Sequence, residues 1–386
     1  MKSKIEALKV VLFVLLVSVL LLSSCSPTPA AAPVETASIT TAPVVEPTTP
    51  PVTAKPLKIA FIYGGPAQDY GYNWMWDLGR QAAQTYFGNK IETVVVENIP
   101  YSEEATRTIE QLIADGTSMI FDTATLADYG EKAAETHPEV AFLRADVVGY
   151  DNEAAFYYEK ERYVYLWGYA AGLLTKSNKI GYVDAFPGPY ANSCASALAL
   201  GLRASNPNAD VVVALIGSWY DPPAARQASE ALIDSGVDVL IGQINMDTVM
   251  QVAEERGVWT FGAMHSMAEF APNWNVTSAV VDTSKDLIKE FQAKLDGTWV
   301  GNKEYRYVKM ETGFTLDPWG PNVPQEVKDK TQALFDRMVK ESYYPFVGPI
   351  NDNNGNLVIA QGKEIPPWDF FVGFDWLAPG VIMPKQ

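Results

Sequence analysis

Two hydrophobic patterns divide the chain. The first is a single block in which Lys2, Lys4 and Lys9 precede an almost unbroken apolar run from Val10 to Leu22. Charge followed by an apolar core is the order of a secretory signal, and the run falls short of the roughly 20 residues that a membrane-spanning helix needs. The second pattern begins at Leu57, where short β-rich runs alternate with amphipathic stretches. Strands are predicted at 58–63, 93–97, 119–122 and 140–144, with helices at about 72–88, 103–115 and 126–136 between them. The alternation restarts with strands at 179–184, 211–216, 237–241 and 259–263 and helices at about 190–205, 223–235 and 247–256. A helix at 161–176, carrying Tyr165, Tyr169 and Leu173 at spacing four, leads from the first series into the second. Repeated β-α-β units predict parallel sheets covered by helices on both faces. The expected fold class is therefore α/β, in two consecutive lobes.

Beyond residue 275 the alternation loosens into a strand at 276–281, helices at 284–296 and 323–342, and a hairpin-like stretch at 348–359. The hairpin signal is the turn Asn353-Asn354-Gly355. Such a tail is expected to cross back between lobes. The predicted limits are a signal at 1–24, a tether at 25–56, an N-terminal lobe at 57–176 joined by part of 276–300, and a C-terminal lobe at 177–275 joined by part of 301–386.

Composition changes the picture between the two patterns. Residues 26–56 are dominated by Pro, Thr, Ala, Val and Ser, which cannot organise a core and read as an extended tether. The apolar run ends in Leu22-Ser23-Ser24-Cys25, which resembles the bacterial lipobox, in which the cysteine receives a diacylglyceryl group and becomes the mature N-terminus. Acyl chains on Cys25 would hold the protein at a membrane, at about 0.8 kcal/mol per buried methylene. The competing reading is an ordinary signal cut at the small residues. With Cys25 lipidated, Cys194 has no partner and reads as a small buried hydrophobe. The fold then rests on an apolar core, which a hydrophobic content of 48% supplies.

The formal charge of −17 becomes −19 once the signal, with its three lysines and Glu6, is removed. That balance argues against nucleic acid and against phosphate-rich ligands, and favours a neutral or cationic small molecule. Two histidines, His137 and His265, and one usable cysteine leave little for a metal centre or a nucleophile, so neither cofactor nor metal is expected. His137 precedes Pro138 at a helix end, where a cation favours the carbonyl dipole.

Several segments together resemble a known family. They are Gly64-Gly65 after the first strand, Asp69-Tyr70-Gly71-Tyr72-Asn73, the stretch Glu161 to Lys179 running into KIGYV, Gly217-Ser218-Trp219-Tyr220-Asp221-Pro222, and Gly236-Val237-Asp238-Val239-Leu240. In this order the chain resembles the basic membrane protein (BMP) group of substrate-binding lipoproteins over about 57–360. The resemblance implies a type I periplasmic-binding-protein-like fold with a hinge between lobes, a purine base or nucleoside as ligand, an ABC permease as partner, and a lipid-anchored monomer outside the cytoplasm. It also implies that the loop after the first strand supplies an aromatic and an amide or carboxylate to the ligand. That loop and the helix after it offer Asp69, Tyr70, Tyr72, Asn73, Trp74 and Trp76. A flat heterocycle is held by stacking and oriented by such polar groups, outside the carboxyl ends of the strands.

Later strand ends add Asp122, Phe186, Trp219, Gln243, Asn245, Met264 and His265 to the candidates. Packing the lobe and capping the helix are the competing roles for the aromatics and Asn73. Asp221-Pro222-Pro223 reads as a helix start, and Trp219 is as consistent with packing as with stacking. His265 would bond a ring nitrogen or carbonyl, or else serve only the surface. Nucleoside-binding members usually carry acidic residues where this chain has Met264-His265, so a free base is expected over a nucleoside. A nucleoside receptor, a sensor for a signalling partner, and a hydrolase using Asp69 or Asp122 as base are the competing readings.

Overall fold

The computed structural model describes residues 55–123, 127–145, 148–366 and 373–384. Cys25, the signal at 1–24 and the tether as far as residue 54 lie outside them. Among the described residues no helix is long and apolar enough to cross a membrane.

The first sheet is built from β1 (Leu57–Ile62), β2 (Ile91–Val96), β3 (Met119–Asp122), β4 (Ala141–Arg144) and β5 (Glu153–Tyr158). Its helices are α1 (Tyr72–Phe87), α2 (Glu103–Ala114) and α3 (Ala127–Thr136). The order is β2-β1-β3-β4-β5, extended at the far edge by β11 (Glu304–Val308), and every pairing is parallel. β1 shows why the strands read as continuous apolar runs: Ile59, Ala60, Phe61 and Ile62 are all fully buried. Phe61 stacks on Phe121 at 5.1 Å and meets Phe291 edge-on at 6.2 Å, while Ala60 and Ile62 pack on the opposite face with Ile109 and Leu112 of α2. Both faces are covered, as a parallel sheet requires.

Lys160–Leu174 forms α4, buried on nearly every side. It packs on α5 (Pro189–Ser205) of the second lobe, where Gly168 and Gly201 let the two backbones approach. The second sheet contains β6 (Lys179–Asp184), β7 (Asp210–Leu215), β8 (Val239–Gly242), β9 (Trp259–Met264) and β10 (Asn275–Val281). Two of its helices are α6 (Pro222–Asp234) and α7 (Thr248–Arg256). Its order is β7-β6-β8-β9-β10, edged by the antiparallel β12 (Phe314–Leu316) and, beside β7, the parallel β15 (Val381–Ile382). Between those two edges in sequence, β13 (Ile350–Asn351) and β14 (Leu357–Ile359) pair as a separate antiparallel hairpin. The doubled α/β architecture agrees with the sequence pattern, and β5, β11, β12 and β15 are strands it did not predict.

The chain crosses between lobes three times, after β5, after β10 into α8 (Ser284–Leu295), and between β11 and β12. These crossings bond to one another. Glu159 N donates to Val308 O at 3.3 Å and Asp282 N to Gly313 O at 2.7 Å. Arg162 bridges Glu159 and Glu311 at 2.6 and 2.7 Å. A bend confined to these points would leave both sheets intact.

Candidate functional site

Every one of the nine strands from β1 to β9 sends the residues at or just beyond its carboxyl end to one cleft between the lobes. The cleft has a volume of about 880 Å³, within the range of small-molecule sites. Its first-lobe wall carries Asp69, Tyr72 and Asn73 after β1, Tyr101 after β2, Thr123 after β3, and Tyr157, Tyr158 and Lys160 at the end of β5. The second lobe contributes Phe186 and Tyr190 after β6, Trp219 and Tyr220 after β7, Asn245 after β8 and Met264 at the end of β9.

Asp69 shapes the first wall. Its carboxylate accepts from the backbone N–H groups of Gly71, Asn73 and Trp74 at 2.8, 3.2 and 3.1 Å, capping the start of α1. Burial pushes its carboxyl up to about 7, against the pull of those donors. The Asn73 amide is likewise engaged, donating to Pro66 O at 3.3 Å and accepting from the Thr123 hydroxyl at 2.8 Å. The Tyr72 ring packs against Tyr158 at 5.8 Å and against the fully buried Trp76, which belongs to the lobe core. Trp74 is half-buried and does not line the cleft. Asp122 is buried behind the wall, 3.9 Å from Arg144, whose other nitrogen binds Glu153 at 2.8 Å.

In the second lobe Tyr190 meets Trp219 edge-on at 5.3 Å, and Phe186 meets Trp219 at 5.9 Å. Gln243 is buried beneath them rather than in the cleft lining. Its amide nitrogen lies 2.8 Å from the Tyr163 hydroxyl and 3.2 Å from that of Tyr190, so it positions a cleft tyrosine from below. Asn245 accepts from Tyr72 N of the first lobe at 3.3 Å. Asp221 caps α6, accepting from Ala224 N at 3.0 Å. Tyr70 and His265 meet each other at a ring distance of 6.0 Å, outside the cleft, and Tyr70 also packs on Phe270 at 5.0 Å. Burial lowers the His265 imidazole below its ordinary range.

Tyr157, Tyr158 and Lys160 escaped sequence reasoning because they follow a strand it did not predict. Lys160 is fully buried, and burial lowers its ammonium from the usual lysine range. Two carboxyls near it, Glu161 and Asp184, are pushed by burial up to about 7. Among the described residues no group of three His, Cys, Asp or Glu side chains comes together to hold a metal ion.

Two α/β lobes joined by three crossings, with one cleft at the strand ends, define a solute-binding protein of the periplasmic type. The chain belongs to the Bmp family of PnrA-like ABC transporter substrate-binding proteins, whose model matches residues 57–374. It is 31% identical over 315 residues to a purine-binding protein of Brucella abortus, covering 80% of this chain and 88% of that one. It is 32% identical over 316 residues to a Haloferax volcanii chain provisionally named an ABC transporter glucose-binding protein, covering 81% and 79%. Basic membrane protein A1 of Borrelia garinii is 23% identical, over 75% of this chain and 91% of its own. Among solved structures, ABC transporter solute-binding proteins of Aeropyrum pernix and Conexibacter woesei share the fold. Their TM-scores are 0.62 and 0.59 at 16% and 21% identity, over 76% and 75% of this chain and 94% and 98% of theirs.

Proposed function

We propose that the cleft binds a flat, neutral heterocycle of the purine-base class and that closure of the lobes presents it to an ABC permease. The observation that carries this reading is the cleft wall itself. Aromatic rings from both lobes, Tyr72 and Tyr158 opposite Tyr190, Trp219 and Phe186, surround the space, and the one carboxylate among its described lining residues, Asp69, is engaged by backbone donors. A ribose diol or a hexose is best held by a carboxylate with free acceptor sites, whereas a base needs stacking faces and a few oriented polar groups. The same engagement of Asp69, and the burial of Asp122, argue for binding without turnover. The purine-binding Brucella relative supports the reading, and the Haloferax relative makes glucose the comparator.

Calorimetric titration of residues 55–386 with adenine, guanine, hypoxanthine, xanthine, their nucleosides and D-glucose tests it. One base is expected to bind at one site per chain and glucose not at all. Trp219→Ala is expected to weaken that binding about 10-fold, the scale of one lost stacking face. Tight binding of glucose with no binding of any base or nucleoside sinks the assignment.

We further propose that Cys25 carries a lipid anchor and that the Pro/Thr-rich segment after it spaces a monomeric receptor from the membrane. Mass spectrometry of the protein extracted from membranes is expected to show residues 1–24 removed and acyl chains on Cys25. An unacylated Cys25 in the membrane-bound protein rules out the anchor.

A further inference from the structure

Lys160 is the only lysine or arginine among the described residues that line the cleft. It opens α4, at the crossing between lobes, and its side chain is wholly buried. The ammonium donates to the Tyr157 hydroxyl and lies over two ring faces, 4.4 Å from the centroid of Tyr157 and 4.5 Å from that of Tyr190. The Tyr157 hydroxyl in turn donates to Glu161 at 3.2 Å, which fixes its lone pair toward the lysine. The nearby carboxylates are occupied elsewhere. Glu161 also accepts from the Tyr344 hydroxyl at 2.9 Å, and Asp184 accepts from the Tyr182 hydroxyl at 2.8 Å and from Ala185 N at 2.7 Å. Among the described residues, one hydrogen-bond acceptor therefore serves an ammonium with three hydrogens. A buried cation is costly until its donors are met, and Lys160, Tyr157 and Tyr190 all belong to the lining of the cleft.

We propose that Lys160 is the specificity-determining residue of the cleft and that the ligand turns a carbonyl oxygen toward it, which makes the ligand a 6-oxopurine and excludes adenine. This inference rests on the purine reading and narrows it. A carbonyl oxygen accepts from the ammonium without bringing a full negative charge into a cleft whose described lining holds a single cation. Adenine carries an amino group at the same ring position, and donor facing donor leaves both groups unpaired where water is excluded. The two tyrosine faces hold the ammonium at a fixed place, so the selection acts on one edge of the ring.

The test is a titration of wild-type protein and Lys160→Met with hypoxanthine, guanine and adenine. Wild type is expected to bind hypoxanthine or guanine about 10- to 100-fold tighter than adenine, the scale of a hydrogen bond to a charged donor. Methionine keeps the length and apolar body of the side chain, and the variant is expected to lose that preference by weakening the oxopurines while sparing adenine. Two readouts need no variant: the wild-type preference itself, and the carbonyl stretch of isotope-labelled hypoxanthine, expected at lower frequency when bound than in water. Equal or tighter binding of adenine by wild type, an unshifted carbonyl stretch, or a preference that survives in a folded Lys160→Met overturns the inference and leaves the purine reading standing. Wild type that binds none of the three bases overturns both.

Discussion

Gly201→Val is expected to unfold the second lobe, or to leave it destabilised by about 4 kcal/mol or more. A Cβ on Gly201 of α5 would lie 1.9 Å from the carbonyl oxygen of Tyr165 and 2.8 Å from its carbon, both backbone atoms of α4. The contact is reciprocal, because a Cβ on Gly168 of α4 would lie 2.1 Å from Leu198 O and 2.8 Å from Leu202 N. Neither obstacle is the end of a flexible side chain, so relief requires the helices to separate. Separation opens a core that includes Trp167, Ala170, Ala171, Leu198 and Leu202, all fully buried. Interiors pack too densely to absorb such a shift. Against a typical total of about 5–15 kcal/mol the loss is disabling. Denaturant unfolding followed by circular dichroism measures it, and a midpoint equal to that of wild type would show that the two helices do not pack as described.

That packing also marks how far sequence could lead. The strands that were legible are the doubly covered ones, such as β1 with four consecutive buried apolar residues. β5 was not, because it opens Glu153-Ala154-Ala155, and a glutamate reads as surface. The structure buries Glu153 completely by giving its carboxylate Arg144 at 2.8 Å and the N–H groups of Gly149 and Tyr150 at 2.7 and 2.9 Å. Those partners lie three to nine residues back, on the end of β4 and the turn after it, and no hydrophobic pattern announces them. β11, with Glu304 and Arg306, is a charged edge, and β15 pairs with β7 through two residues whose neighbours lie far back in sequence.

The site inherits the same limit. Loops after recognised strands were found, so Phe186, Trp219 and Asn245 could be nominated, whereas the turn after β5, with Tyr157, Tyr158 and Lys160, could not. Side-chain roles were less legible than positions. A carboxylate beside an aromatic looks like a ligand contact until its oxygens are seen to take three backbone N–H groups, as those of Asp69 do. Tyr70 and His265 follow strands that end at the cleft, yet both have positive-φ or adjacent positive-φ backbone, at Tyr70 (φ 54°) and Met264 (φ 70°). The two rings meet each other instead of the cavity.

Gly71→Val is expected to abolish tight ligand binding while leaving the unfolding midpoint within a degree or two of wild type. Gly71 sits where the lobes touch. A Cβ there would lie 2.5 Å from Asn245 Cα and 3.0 Å from Asn245 Cβ and Oδ1, next to the cleft residues Tyr72 and Asn245, where Tyr72 N already donates to that same oxygen. A side chain at this point acts as a wedge between two rigid bodies. The α1 cap survives it, because Asp69 accepts from the backbone of residue 71 and not from its side chain. The cost therefore falls on closure and not on either lobe. A closed form disfavoured this way lowers apparent affinity by the fraction of molecules that can still close, and a loss of about 100-fold corresponds to a modest shift in that equilibrium. Small-angle scattering distinguishes the cause: wild type should contract on adding ligand and the variant should not. Gly71→Ala should fall between them, since one methyl is a thinner wedge than an isopropyl group. Wild-type affinity in Gly71→Val would mean that ligand capture does not depend on bringing residues 71 and 245 together.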